Sequence, residues 1–130
     1  RFNYVKDCCF KIELLESQTL EDLHDIIQTI MMWNDCIGIH LHSFFMSGIT
    51  WDKDTEYCGP PGSQEHNNAK DTTITLKELN MGYKQKFLYL YDYGHCNMFL
   101  ISVIGVGNYD EKKEYPFIIE KTAIPENPYY

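Results

Sequence analysis

Only one stretch of this chain carries a helical repeat long enough to cross a sheet. Leu20, Leu23, Ile26, Ile27, Ile30 and Met31 recur at helical spacing, which places them on one side of an α-helix. Glu21, Asp22, Asp25, Gln28 and Thr29 fill the opposite side. Thr19 stands ahead of the stripe as an N-cap. Glu21 and Asp22 then bring carboxylates to the positive end of the helix dipole. The spacing predicts a helix from Thr19 to about Trp33, broken at Asn34-Asp35. The constraint this imposes is topological. Parallel neighbours in a sheet need a long crossover between them, and only this helix could supply one. The strands must therefore pair mostly with antiparallel neighbours.

Strand candidates are frequent. Phe2 to Leu15 carries Val5, Phe10, Ile12 and Leu14. Ile37-Gly-Ile39-His40-Leu41-His42 alternates and continues through Phe44-Phe45, as a half-buried strand does. Ser47-Gly48 is read as a turn, with a return strand from Ile49 to Trp51. Residues 59–71 read as a mobile loop, because Gly59-Pro60-Pro61-Gly62 is followed by an almost wholly polar run. Thr75-Leu-Lys-Glu78 is a capping-box pattern that opens a short helical turn, stopped by Gly82. Lys86–Tyr91 and Cys96–Val106 form a hairpin around Asp92-Tyr93-Gly94-His95. Tyr115 to Ile124 is a last strand. The fold class that follows is α+β: a mostly antiparallel sheet, one main amphipathic helix packed on a face, and a short second helix.

Composition sets outer limits. A length of 130 residues suits a single domain, 1–130. The chain opens at Arg1 and closes on Pro128-Tyr129-Tyr130, and so reads as part of a longer product. No apolar run approaches a membrane span. The formal net charge of -8 argues against direct nucleic-acid binding, since phosphate backbones call for a basic face. It fits a cytoplasmic protein. Five cysteines in no regular framework point to reduced thiols. Ten tyrosines suit a contact surface and point to a protein partner.

The candidate site residues are His40, His42, Tyr91, Asp92 and His95. His40 and His42 are two apart in a strand, so their imidazoles share a face. The turn after Tyr91 adds a carboxylate and another imidazole. Together they could hold a ligand, or a metal if a third ligand came from Asp92, His95 or Cys96. The competing reading is that Asp92 and Gly94 are there for turn geometry alone. His24, at the edge of the apolar stripe, is read as a border histidine bonded to a neighbouring loop. No catalytic residue is assigned, and no cofactor is implied. Phosphate-loop and nucleophile-elbow patterns are missing.

Several motifs, taken in order, resemble the plasmid open-reading-frame-3-like family of the pRi plasmid type. They are Thr19-Leu-Glu-Asp-Leu-His24-Asp-Ile-Ile-Gln28, Trp33, His40-Leu-His42-Ser-Phe44, Thr75-Leu-Lys-Glu-Leu79, Phe87-Leu-Tyr-Leu-Tyr91-Asp92-Tyr93-Gly94 and Tyr115-Pro116. His95-Cys96-Asn97 depart from the acidic residues and tryptophan that usually follow the turn. The resemblance implies an α+β fold and an association with plasmids and insertion elements. It brings no activity with it. Two readings stay open: a non-catalytic protein-interaction module, or a small metal- or ligand-dependent enzyme using a His/Asp cluster.

Overall fold

A computed structural model describes residues 3–4, 9–33, 41–62, 70–94 and 96–122 of the chain. In order, its elements are β1 (Asn3–Tyr4), β2 (Phe10–Glu13), α1 (Leu20–Met31), β3 (His42–Phe45), β4 (Glu56–Gly59), β5 (Lys70–Asp71), α2 (Leu76–Leu79), β6 (Lys86–Tyr91), β7 (Asn97–Ser102) and β8 (Phe117–Lys121). Six strands form the main sheet in the order β1-β7-β6-β3-β4-β5, and β2 pairs with β8 in a second, two-stranded sheet. The central pairs β7–β6, β6–β3 and β3–β4 are antiparallel. Parallel pairing is confined to the two-residue edge strands β1 and β5. The class is α+β, as the single long helix requires. Among the described residues, no helix is long and apolar enough to cross a membrane.

Both helices start where their side chains say they should. The Thr19 hydroxyl accepts from Asp22 N–H at 3.1 Å, and the Asp22 carboxylate accepts from Thr19 N–H at 2.9 Å. Thr75 and Glu78 repeat this reciprocal cap on α2. The two caps are tied together. Leu20 N–H donates to Ile74 O, and Leu76 N–H donates to Gln18 O. Each helix ends on a left-handed residue, Met32 for α1 and Asn80 for α2. Asn tolerates that conformation, so α2 stops two residues before the expected Gly82.

Alternation along the strands sorts the sheet into two faces. His42, Phe44, Tyr57, Phe87, Tyr89, Tyr91 and Phe99 line one face by register. The larger core cluster joins the aromatic members of this face to Leu20, Leu23, Ile27 and Met31 of α1. Phe45, Leu88, Leu90 and Met98 form a smaller cluster on the other face.

Four local expectations need correction. Gln28, placed on the polar side of α1, is buried at 5% exposure, because its amide reaches a tyrosine hydroxyl in the sheet. Ile49–Trp51 is not a strand. Trp51 has φ 61 in a turn, and its ring packs edge-on to Phe45 at 5.4 Å and Tyr93 at 5.3 Å. The return strand starts later, at Glu56. The 59–71 loop has paired ends: Gly59 closes β4, and Lys70–Asp71 is β5, aligned with Tyr57–Cys58. Its middle, 63–69, lies outside the described residues, as do 37–40 of the predicted strand. Regular β7 ends at Ser102 rather than Val106, although Val103 still exchanges hydrogen bonds with Lys84 and Gln85.

Candidate functional site

The first turns of α1 lie over the His42 end of β3. Glu21, His24 and Gln28 are three and four residues apart, so they share one side of the helix. That side faces β3 and β6. His42 Nε2 meets Glu21 Oε1 at 2.8 Å, and the His42 side chain is only 1% exposed. The His24 ring stacks on the His42 ring with centroids 3.5 Å apart and planes 4° from parallel. One ligand-capable atom from each of Glu21, His24 and His42 lies within 4.8 Å of the others.

A second ring of contacts holds these groups in place. Thr72, between β5 and α2, donates its hydroxyl to Glu21 Oε1 at 2.7 Å. Glu21 N–H in turn donates to Thr72 O at 2.9 Å. The buried Tyr89 hydroxyl sits 2.6 Å from His24 Nδ1 and accepts from Gln28 Nε2 at 3.0 Å. In this arrangement Tyr89 O–H donates to His24 Nδ1, so the His24 proton lies on Nε2. A half-turn of the Gln28 amide reverses the chain and moves that proton to Nδ1. Gly59 is the Cα partner of His42. A Cβ there would lie 2.2 Å from His42 Nε2 and 2.8 Å from Glu21 Oε1. The glycine is what lets the His–Glu contact form.

Charge is balanced against burial. Burial pushes the Glu21 carboxyl up, but the His42 hydrogen bond and charge, the Thr72 hydroxyl and His24 together outweigh it, and the net direction is down. Burial, reinforced by His42, pushes the His24 imidazole down to about 3, against a smaller pull from Glu21. Burial also raises Asp25, with help from Glu21 and Asp22. Tyr89 is held far above its ordinary range, chiefly by burial. At neutral pH the cluster is therefore a carboxylate beside a neutral His24 ring and a protonated phenol. Within this cluster, His42 Nδ1 is buried with no hydrogen-bond partner among the described residues.

The sequence-predicted residues are distributed as follows. His42 is in the cluster. Tyr91 is its cross-strand partner, and its ring stacks on Trp33 at 5.3 Å and lies 6.1 Å from His24. Asp92 is part of the turn: its carboxylate accepts from Gly94 N–H at 3.1 Å, and its N–H donates to Leu41 O at 2.8 Å. His40 and His95 lie outside the described residues. Tyr93 points to the opposite face, where its hydroxyl contacts Ser43 Oγ, Glu56 Oε2 and Cys58 Sγ. The turn's two phenols are thus separated by the sheet. Cys9 and Cys96 are thiols outside any disulfide, and Cys58 Sγ meets the Tyr93 hydroxyl at 3.2 Å. Glu21, Thr72, Gln28 and Tyr89 were not singled out from the sequence. The available signal was Glu-x-x-His, an i, i+3 pair on a helix that also supplies Gln28 one turn later. His24 bonds a strand tyrosine, not a loop.

Fold and cluster together describe a small α+β protein with a half-buried Glu–His–His group clasped between a helix N-terminus and a sheet. The chain belongs to the plasmid pRiA4b ORF-3-like protein family, whose family model matches residues 6–128. No curated protein and no solved structure gave a significant match.

Proposed function

We propose that this chain is a non-catalytic binding module whose working site is the Glu21–His24–His42 cluster. The observation that carries this is the His24–His42 stack at 3.5 Å with a carboxylate 2.8 Å from one ring. Two imidazoles and a carboxylate in partial burial cost solvation that an apolar trio would not. Groups held at such a cost cluster at functional sites more often than elsewhere. Tyr91 borders the site, and the turn around Asp92 sits at the same end of the strands. Binding is favoured over turnover because the sequence carries no phosphate-loop or nucleophile-elbow pattern. A cytoplasmic, mobile-element setting is consistent with the family. Direct nucleic-acid binding is not part of the proposal, given the net charge of -8.

The test is a thermal-shift panel of inorganic phosphate, citrate, magnesium, calcium and zinc, run on the chain and on its Glu21→Gln and His24→Gln variants. A ligand at ~100 times its Kd stabilises by ~2.7 kcal/mol, which is a shift of several degrees. At least one compound is expected to raise Tm in the parent and not in the variants. No shift, or equal shifts in all three proteins, would overturn the reading.

The protein-interaction form of a binding module has its own observation. Leu100, Ile104, Val106 and Tyr109 are all exposed, Val106 by 92%, in one short run of the chain, and exposed apolar side chains mark contact sites where they gather. Self-association seen by sedimentation velocity, and lost in Ile104→Asp/Val106→Asp at unchanged Tm, would support it. A parent that stays monomeric at its highest soluble concentration would count against this form.

A further inference from the structure

We infer that the ligand of the Glu21–His24–His42 cluster is a single divalent transition-metal ion of the zinc class, bound by one nitrogen from each histidine and a Glu21 oxygen. This rests on the binding reading above and names its ligand. Zinc takes nitrogen at 2.0–2.1 Å and carboxylate oxygen at 2.0–2.2 Å, so two of its ligands stand about 3.3–3.5 Å apart in a tetrahedron. The three donor atoms are already within 4.8 Å of one another. Because each ring's lone pair lies in its own plane and the two planes are nearly parallel, the His24 ring has to tilt out of the stack for both nitrogens and Glu21 to face one ion. Two imidazoles and a carboxylate suit zinc better than magnesium or calcium, which prefer oxygen ligands.

Three further features point to a ligand rather than to packing alone. The His42 side chain is only 1% exposed, and its Nε2 already faces the Glu21 carboxylate at 2.8 Å. Among the described residues, no group hydrogen-bonds Glu21 Oε2 or His24 Nε2. His24 also has the outer shell that metal-binding histidines need, since a ligating imidazole must carry its proton on the other nitrogen and donate it. Tyr89 stands 2.6 Å from His24 Nδ1 with Gln28 behind it. With the Gln28 amide turned, Nδ1–H donates to the Tyr89 oxygen, Tyr89 O–H donates to Gln28 Oε1, and the Nε2 lone pair is free for the ion. As the ion takes the place of the hydrogen between His42 Nε2 and Glu21 Oε1, His42 carries its ring hydrogen on Nδ1, and any second ring proton leaves to solvent.

The experiment uses the whole chain, freed of any affinity tag and stripped with EDTA, titrated with zinc chloride alone by calorimetry, with metal content read after dialysis. About one zinc per chain is expected. His24→Gln and Glu21→Gln, at partly exposed positions where folding should survive, should weaken binding by ~100-fold or more. Tyr89→Phe, which touches no ion, should weaken it by ~10-fold. Far-UV circular dichroism checks each variant's fold. Zinc bound equally well by folded His24→Gln would place the ion elsewhere and overturn the inference. So would no uptake by the parent. If zinc fails while another panel compound still depends on Glu21 and His24, the metal falls and the binding module stands. If nothing in the panel binds, both fall.

Discussion

Metal-free protein is expected to lose stability steadily as the pH drops below about 6.5, before ordinary carboxylates begin to titrate. His24 is the source. Its imidazole is pushed down to about 3 in the fold, first by burial and then by His42, while in the unfolded chain it titrates near 6.5. Between those values the unfolded state binds a proton that the folded state does not. Stability therefore rises with pH across this window and falls as acid is added. The slope for one group approaches ~1.4 kcal/mol per pH unit. Glu21 acts in the same direction at lower pH: its carboxyl is net lowered, so its contribution is present above the unfolded value and disappears as pH falls through the folded one. Asp25 is raised and opposes them weakly around its own range. Urea unfolding of the EDTA-treated chain at pH 7.5, 6 and 5 reads the slope, and His24→Gln should flatten it between 6.5 and 5. A parent curve already flat over that interval would mean that His24 is open to water.

The fold was legible where one physical rule acted alone. Thr19 and Thr75 announced two helices because a capping hydroxyl followed by a carboxylate at the third helical position satisfies backbone donors in few other ways. The run from Lys86 to Tyr91 announced a strand because its aromatics alternate with leucines, and both faces of the sheet bury them. What could not be read was side-chain pairing across distant segments. Gln28 has the polarity of a surface residue, and nothing near it in sequence shows that Tyr89 will meet it. Glu21 looks like a dipole-complementing surface acid, and its partnership with His42 depends on how α1 crosses β3. The position of Gly59 against that pair is a close approach of backbone to side chain, whereas in sequence the residue looks like the start of a loop.

This division bears on how the site relates to the fold. β3 carries His42 on the helix-covered face and Ser43 on the other, and each heads its own polar group. In the Ser43 group, Ser43 Oγ donates to Glu56 Oε2 at 2.6 Å, and the Tyr93 hydroxyl caps both. Such a network fixes register and sheet packing. In the His42 group, among the described residues, the buried His42 Nδ1 has no hydrogen-bond partner and no group hydrogen-bonds Glu21 Oε2 or His24 Nε2. Two neighbouring residues of one strand thus head polar groups on opposite faces, and among the described residues it is the His42 group that gathers three metal-ligating side chains.

Truncating Ile27 to alanine should produce the largest single-residue loss on α1, about 2–5 kcal/mol. Ile27 is 1% exposed and belongs to the cluster that joins α1 to Phe44, Tyr89 and Phe99. Removing its outer carbons forfeits their transfer free energy and leaves a cavity, which a sheet bonded on both sides of β3 and β6 cannot easily collapse to fill. Gln28→Ala should also cost about 1–3 kcal/mol, because it strips a donor from the buried Tyr89 hydroxyl. This reverses what its polarity implied in the sequence. Thr29→Ala, at an exposed position one residue further on, is the control and should cost no more than about 0.5 kcal/mol. Urea midpoints at unchanged m-value measure all three. The decisive comparison is Gln28 against Thr29. If those two variants behave alike, the amide does not hold Tyr89, and the outer shell drawn around His24 comes apart with it.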